Sequence, residues 1–199
     1  MLSTHGIPQA LYTDRASWAV YTPRTGQGPD RTQPTQVGRA LARLGIEHIL
    51  AFSPQARGRG ERVHRTLQDR LVQELRLAGV RSSARANAFI TGTFLPRYNL
   101  EFAHPAADPA SAFVTAGGAE LHQILCIEEA RTIGRDNTIV LDNVRLQIPK
   151  QPGRPTCAGL AVLVRRHLDG SHSVWWGRRC LGYFDLRGRT QKEAPGTAA

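Results

Sequence analysis

The stretch IEHILAFSPQARGRGERVHRTLQDRLVQELRL, residues 46–77, holds three kinds of segment in succession. Ile46 to Phe52 is a short apolar run of the kind that forms a buried strand. Ser53-Pro54-Gln55-Ala56-Arg57-Gly58-Arg59-Gly60 is a basic loop punctuated by a proline and two glycines. From Glu61 onward, Val63, Leu67, Leu71 and Leu75 fall at every fourth position. That spacing predicts an amphipathic helix, with Gly79 where a left-handed cap belongs.

Toward the N-terminus, His5-Gly6-Ile7-Pro8 reads as a tight connection and Ala10 to Thr13 as a short strand ending at Asp14. Residues 22–34, rich in Gly, Pro, Thr and Gln, read as a surface loop. Val37, Ala40, Leu41 and Leu44 then have helical spacing, with Gly45 as the stop. Strand, helix, strand predicts parallel strands joined by a helical crossover. Toward the C-terminus, a helix from about Ser83 is expected to turn Phe89, Ile90 and Phe94 inward and to end near Pro96. Residues 103–119 read as a linker rich in Ala, Pro and Gly. Beyond them come short apolar runs separated by turn signals: Asp136-Asn137, Asp142-Asn143 and the hairpin pair Asp169-Gly170. Short strands with tight turns predict a small barrel over residues 120–186, and residues 187–199 read as a disordered tail. The expected class is therefore α/β followed by all-β.

Charge narrows the partner. The 199 residues carry 26 Lys+Arg against 16 Asp+Glu, a formal net charge of +10, which favours polyanions such as DNA. Lys150 and Lys192 are the sole lysines, so the arginine bias also fits a GC-rich genome. Cys126, Cys157 and Cys180 lack zinc spacing and read as reduced, partly buried thiols. No apolar run approaches the roughly 18 residues of a membrane span, and Met1 to Gln9 lacks the pattern of a signal peptide. A cytoplasmic protein is expected.

Two carboxylates stand out by placement. Asp14 ends a strand and Glu61 opens a helix after the basic loop. In a strand–helix–strand–helix unit the two can meet at the C-terminal edge of the sheet. Mg²⁺ favours such oxygen ligands, and paired metals support phosphodiester chemistry. The plainer readings are a turn aspartate and a glutamate that complements the helix dipole.

Tyr12-Thr13-Asp14-Arg15-Ala16-Ser17-Trp18, Leu44-Gly45-Ile46, the block from Ser53 to Arg62, the block from Thr66 to Leu77, Ala86 to Phe89 and Tyr98-Asn99 together resemble the integrase-type DDE transposases of bacterial insertion sequences. The resemblance implies an RNase H-like integrase core over residues 1–102 and a small SH3-like β-barrel behind it. It also implies an Asp, Asp, Glu active site that works with Mg²⁺ or Mn²⁺ on transposon ends and target DNA. Asp14 is similar to the second Asp and Glu61 to the closing Glu. The first Asp belongs upstream of the H-G-x-P turn, which begins here at His5, and no acidic residue precedes Asp14. The expectation is an N-terminally truncated core, inactive alone. Two further expectations stand beside it: a DNA-binding protein that inhibits or co-assembles with full-length transposase (or with copies of itself), and a non-functional remnant.

Between Arg57 and Arg85 eight arginines face three carboxylates. Arg57, Arg59, Arg62 and Arg65 lie nearest Glu61 and are candidate DNA contacts, with a solvated charged face as the alternative. In the β-rich segment Arg165, Arg166, Arg178 and Arg179 flank Trp175 and Trp176. They are further DNA-contact candidates, while the tryptophans equally suit a core.

Overall fold

A computed structural model describes residues 2–23, 28, 30, 32–53, 58–118 and 120–191. Among the described residues the fold is mixed α/β with four sheets. After a short helix α1 (Leu2–His5), strand β1 (Ile7–Pro8) is followed by β2 (Ala10–Thr13), helix α2 (Gln36–Arg43) and β3 (Glu47–Leu50). β2 and β3 pair in parallel, Ala10 opposite Glu47 through Thr13 opposite Leu50, as the strand–helix–strand order predicts. Thr35 caps α2, its hydroxyl accepting from the Gly38 N–H at 3.0 Å. Gly45 leaves the helix at φ 69°, a conformation glycine adopts without a Cβ penalty. Ile7, Leu41 and Ile46 form a small core under Val37, Leu44 and Ala116. Of the loop expected at residues 22–34, positions 24–27, 29 and 31 lie outside the described residues.

Helix α3 (Gly58–Leu77) is the longest element, and Gly79 at φ 62° closes it while the Val80 N–H reaches back to the Leu75 carbonyl. Its stripe of Val63, Leu67, Leu71 and Leu75 is only half-covered, and no described residue of α3 is buried. The cover comes from a second helical rod, α4 (Ser83–Phe89), a π-helical turn (Ile90–Phe94) and α5 (Leu95–Phe102). Arg70 pairs with Glu101 at 2.9 Å and Arg97 with Glu74 at 3.4 Å, so the rods run antiparallel. Phe94, at the end of the π-turn, stacks on Tyr98, and Tyr98 meets Phe102 at a tilt one turn further along α5. The expected stop at Pro96 is corrected: helix continues to Phe102. Proline costs a helix its N–H bond and clashes one turn back. Here the wider π-turn directly precedes it and re-spaces the bonds at that point.

Phe113–Val114, inside the stretch read as linker, form β4 and pair antiparallel with β1. Helix α6 (Leu121–Ile124) leads into β5 (Ile127–Thr132), β6 (Thr138–Leu141), β7 (Val144–Gln147), β8 (Ala161–Arg166), β9 (His172–Trp176), β10 (Arg179–Phe184) and β11 (Thr190–Gln191). The strands fall where the sequence predicts them, but they do not close. One sheet has the order β11-β10-β9-β8-β5, and β6-β7 is a separate hairpin, so the barrel expectation is corrected to an open sheet with a hairpin among the described residues. The hairpin packs across the sheet instead of joining its edges. Ile139, Leu141, Leu146 and Ile148 share one core with Val162, Val164, Val174, Leu181 and Phe184. Asp142 and Asn143, at φ 47° and 64°, make the two-residue turn between β6 and β7. Residues 187–191, read as the start of a tail, instead turn at Gly188 and add β11; residues 192–199 lie outside the described residues.

Helix α2 docks on this second unit through charge. Glu128, 7% exposed, receives Arg43 at 2.7 Å, Arg165 at 2.9 Å and Arg39 at 3.5 Å. Gln36 completes the join, exchanging hydrogen bonds with the Glu128 backbone at 2.8 and 3.0 Å. One carboxylate thereby ties α2, β5 and β8 together.

Candidate functional site

Asp14 follows β2 directly. Thr13 donates its hydroxyl to the Asp14 carbonyl at 2.9 Å and lies 2.7 Å from His48 Nε2, while one Asp14 carboxylate oxygen accepts the Ala16 N–H at 3.2 Å. The Ala51 N–H bonds the Thr13 carbonyl at 2.8 Å. Asp14 and the exit of β3 therefore share the C-terminal edge of the parallel pair, the edge at which open α/β sheets bind ligands. The chain leaves that edge toward α3, where Glu61 is exposed in the first turn. Residues 54–57 between them lie outside the described residues. Among the described residues no group of three or more His, Cys, Asp or Glu is placed to hold a metal. Asp14 and Glu61 each offer carboxylate oxygens, ligands of the type Mg²⁺ or Mn²⁺ accepts.

The candidate arginines divide by what already holds them. Arg57 lies outside the described residues, and Arg59 sits in the first turn of α3. Arg62 bonds the Gly58 carbonyl at 3.2 Å and Arg65 is exposed. Arg165 is enclosed: besides Glu128 it donates to Gln123 at 2.8 Å and stacks on the Trp175 ring at 4.8 Å. Arg166 is paired with Asp142. Arg178 and Arg179 are exposed at the β9–β10 turn, and Arg179 bonds the Pro152 carbonyl at 3.4 Å.

Sequence comparison gives this arrangement its context. Over 184 residues the chain is 35% identical to y4bF of Sinorhizobium fredii, a protein provisionally named a transposase. Over 155 residues it is 30% identical to the transposase of insertion sequence IS1202 of Streptococcus pneumoniae. The chain is homologous to bacterial insertion-sequence transposases. The matches cover 92% and 77% of it, and 40% and 32% of the two relatives. No family model and no solved structure matches it.

In this transposase homologue, sequence reasoning passed over two groups. Arg154 lies over the Trp176 ring at 4.9 Å, yet the two are far apart in sequence and only the fold joins them. Glu128 reads as one acidic residue in an edge strand, and its three arginines come from two other elements. Neither carries a local signal. Among the described residues no helix is long and apolar enough to cross a membrane. Burial raises the pKa of the Cys126 and Cys180 thiols, which keeps them protonated and unreactive.

Proposed function

We propose that this chain contributes the second and third carboxylates of a DDE-type transposase site, in an RNase H-like arrangement, and binds transposon-end and target DNA through its arginines. The observation that carries the proposal is Asp14 at the C-terminal edge of a parallel strand pair, with Glu61 in the first turn of the helix that follows that pair in the chain. Asp14 and Glu61 would hold Mg²⁺ or Mn²⁺, which would activate the attacking oxygen and stabilise the departing one in phosphodiester cleavage and strand transfer. The remaining work falls to the protein. Parallel pairing and the Ala16 N–H orient the Asp14 carboxylate, and the arginines around α3 hold phosphates in register.

The chain by itself is proposed to be catalytically silent. The resemblance implies three carboxylates, and these 199 residues carry its motifs for two of them, Asp14 and Glu61. A strand cleavage and joining assay on element-end DNA with Mg²⁺ or Mn²⁺ tests this. The expected product yield is that of the buffer control. Cleavage abolished by Asp14→Asn would refute the silence while keeping the site; cleavage indifferent to Asp14→Asn would refute the site itself.

A second reading is a non-catalytic DNA-binding protein that competes or assembles with an active transposase. The distribution of cores favours it: the β-rich unit has a substantial buried core, whereas that beneath β2 and β3 is small. DNA affinity unaffected by substitution of Asp14 and Glu61 is its signature.

A further inference from the structure

We propose that Trp176 is a stacking platform for the bases of an unpaired DNA strand, whose phosphates Lys150, Arg154, Arg178 and Arg179 hold. The proposal rests on DNA being the partner and specifies which form of DNA this surface takes. The adjacent tryptophans have opposite fates, as alternation along a strand requires. Trp175 turns inward, donating its indole N–H to Ser173 at 2.8 Å, meeting Tyr183 edge-on and stacking with Arg165. Trp176 stays 39% exposed at the end of β9, with the Arg154 guanidinium 4.9 Å above its ring. Arg179 lies opposite Trp176 across the β9–β10 turn and ties the Arg154 loop to it through the Pro152 carbonyl.

The charge around Trp176 is uncompensated. Lys150 lines one cleft with Arg154, and among the described residues Lys150, Arg154, Arg178 and Arg179 have no carboxylate partner. Arg165 and Arg166, on the next strand, are both paired. The neighbouring amides are already used inside the protein. Gln151 donates to the Leu181 carbonyl at 2.8 Å, and Asn137 accepts the Cys157 N–H at 2.7 Å. Reading of base edges has few free groups here, so the remaining mode is stacking with phosphate attraction, which tolerates any base. An exposed cation–π contact is worth about a two- to fivefold factor. A base stacked on an aromatic ring is worth about five- to 150-fold. A base therefore displaces Arg154 from the ring and frees its guanidinium for the flanking phosphate. Duplex DNA keeps its bases stacked on one another and cannot do this.

Three probes of equal length separate the terms: an oligo-dT strand, an abasic strand with the same phosphates, and a duplex. Affinity is read by anisotropy of a label on the DNA, alongside tryptophan emission of the full chain. The expected result is oligo-dT bound at least about fivefold more tightly than the abasic strand, with quenched emission. Trp176→Ala should remove that margin and leave duplex affinity in place. Equal affinity of the unaltered chain for oligo-dT and abasic strands overturns the platform without any variant. A margin that survives Trp176→Ala also overturns it. Duplex binding without a dT margin sinks this inference alone, whereas no binding to any of the three sinks the DNA reading with it.

Discussion

His167 is fixed in one tautomer by its neighbours. A carbonyl can only accept, so Nδ1 carries the proton and donates to the His122 carbonyl at 3.0 Å. Nε2 then accepts from the Ser173 hydroxyl at 2.9 Å, and Ser173 accepts from the Trp175 indole at 2.8 Å. A second proton on His167 would leave the Ser173 hydroxyl with two donors and no acceptor. Burial pushes the pKa of His167, and also of His172, below the usual histidine range. The unfolded chain takes up these protons first, at its ordinary pKa near 6.5. Stability from these groups is thus fully present above about pH 6.5 and is lost as pH falls from there through the folded values. The slope is at most about 1.4 kcal/mol per pH unit for each histidine. Urea midpoints compared between pH 7 and pH 5 should drop, and His167→Asn should drop less. A variant with the same pH dependence as the parent would show that His167 does not carry the effect.

Elements were legible in the sequence where one local rule decided them. Asp142-Asn143 and Asp169-Gly170 mark turns because their backbones must reach positive φ, and both do so at Asp142, Asn143 and Gly170. Gly45 closes α2 for an equally local reason. What failed depended on distant partners. Pro96 breaks an ordinary helix, and only the π-turn before it lets α5 run on. A run of short strands does not say whether the last meets the first, so barrel closure was unreadable. The stripe on α3 was read correctly as a pattern, but the pattern does not reveal that Val63 stays 47% exposed. Helical stability comes mostly from such faces packing, so α3 is expected to open locally more readily than the sheet. In hydrogen exchange, amides of α3 should exchange well before those of β8 and β9, whose Val164 and Val174 are fully buried. Equal protection of the two would mean that α3 is covered more thoroughly than its exposure indicates.

At the scale of the molecule, the β-rich unit holds the large core, and the β2–α2–β3 unit places Asp14 and is clamped to it through Glu128. The positions of Asp14 and Glu61 were legible because motif resemblance named both residues. The convergence on one metal proposed for them depends on how α3 stands against the strand edge, which no local motif fixes. Metal-directed backbone cleavage tests that convergence most directly, with Fe²⁺ in place of Mg²⁺ and peroxide generating radicals at the bound ion. If the two carboxylates share a metal, the full chain should be cut near Asp14 and near Glu61, and both cuts should vanish in Asp14→Asn and in Glu61→Gln alike. Cuts at one position only, or cuts that survive either substitution, would contradict the account.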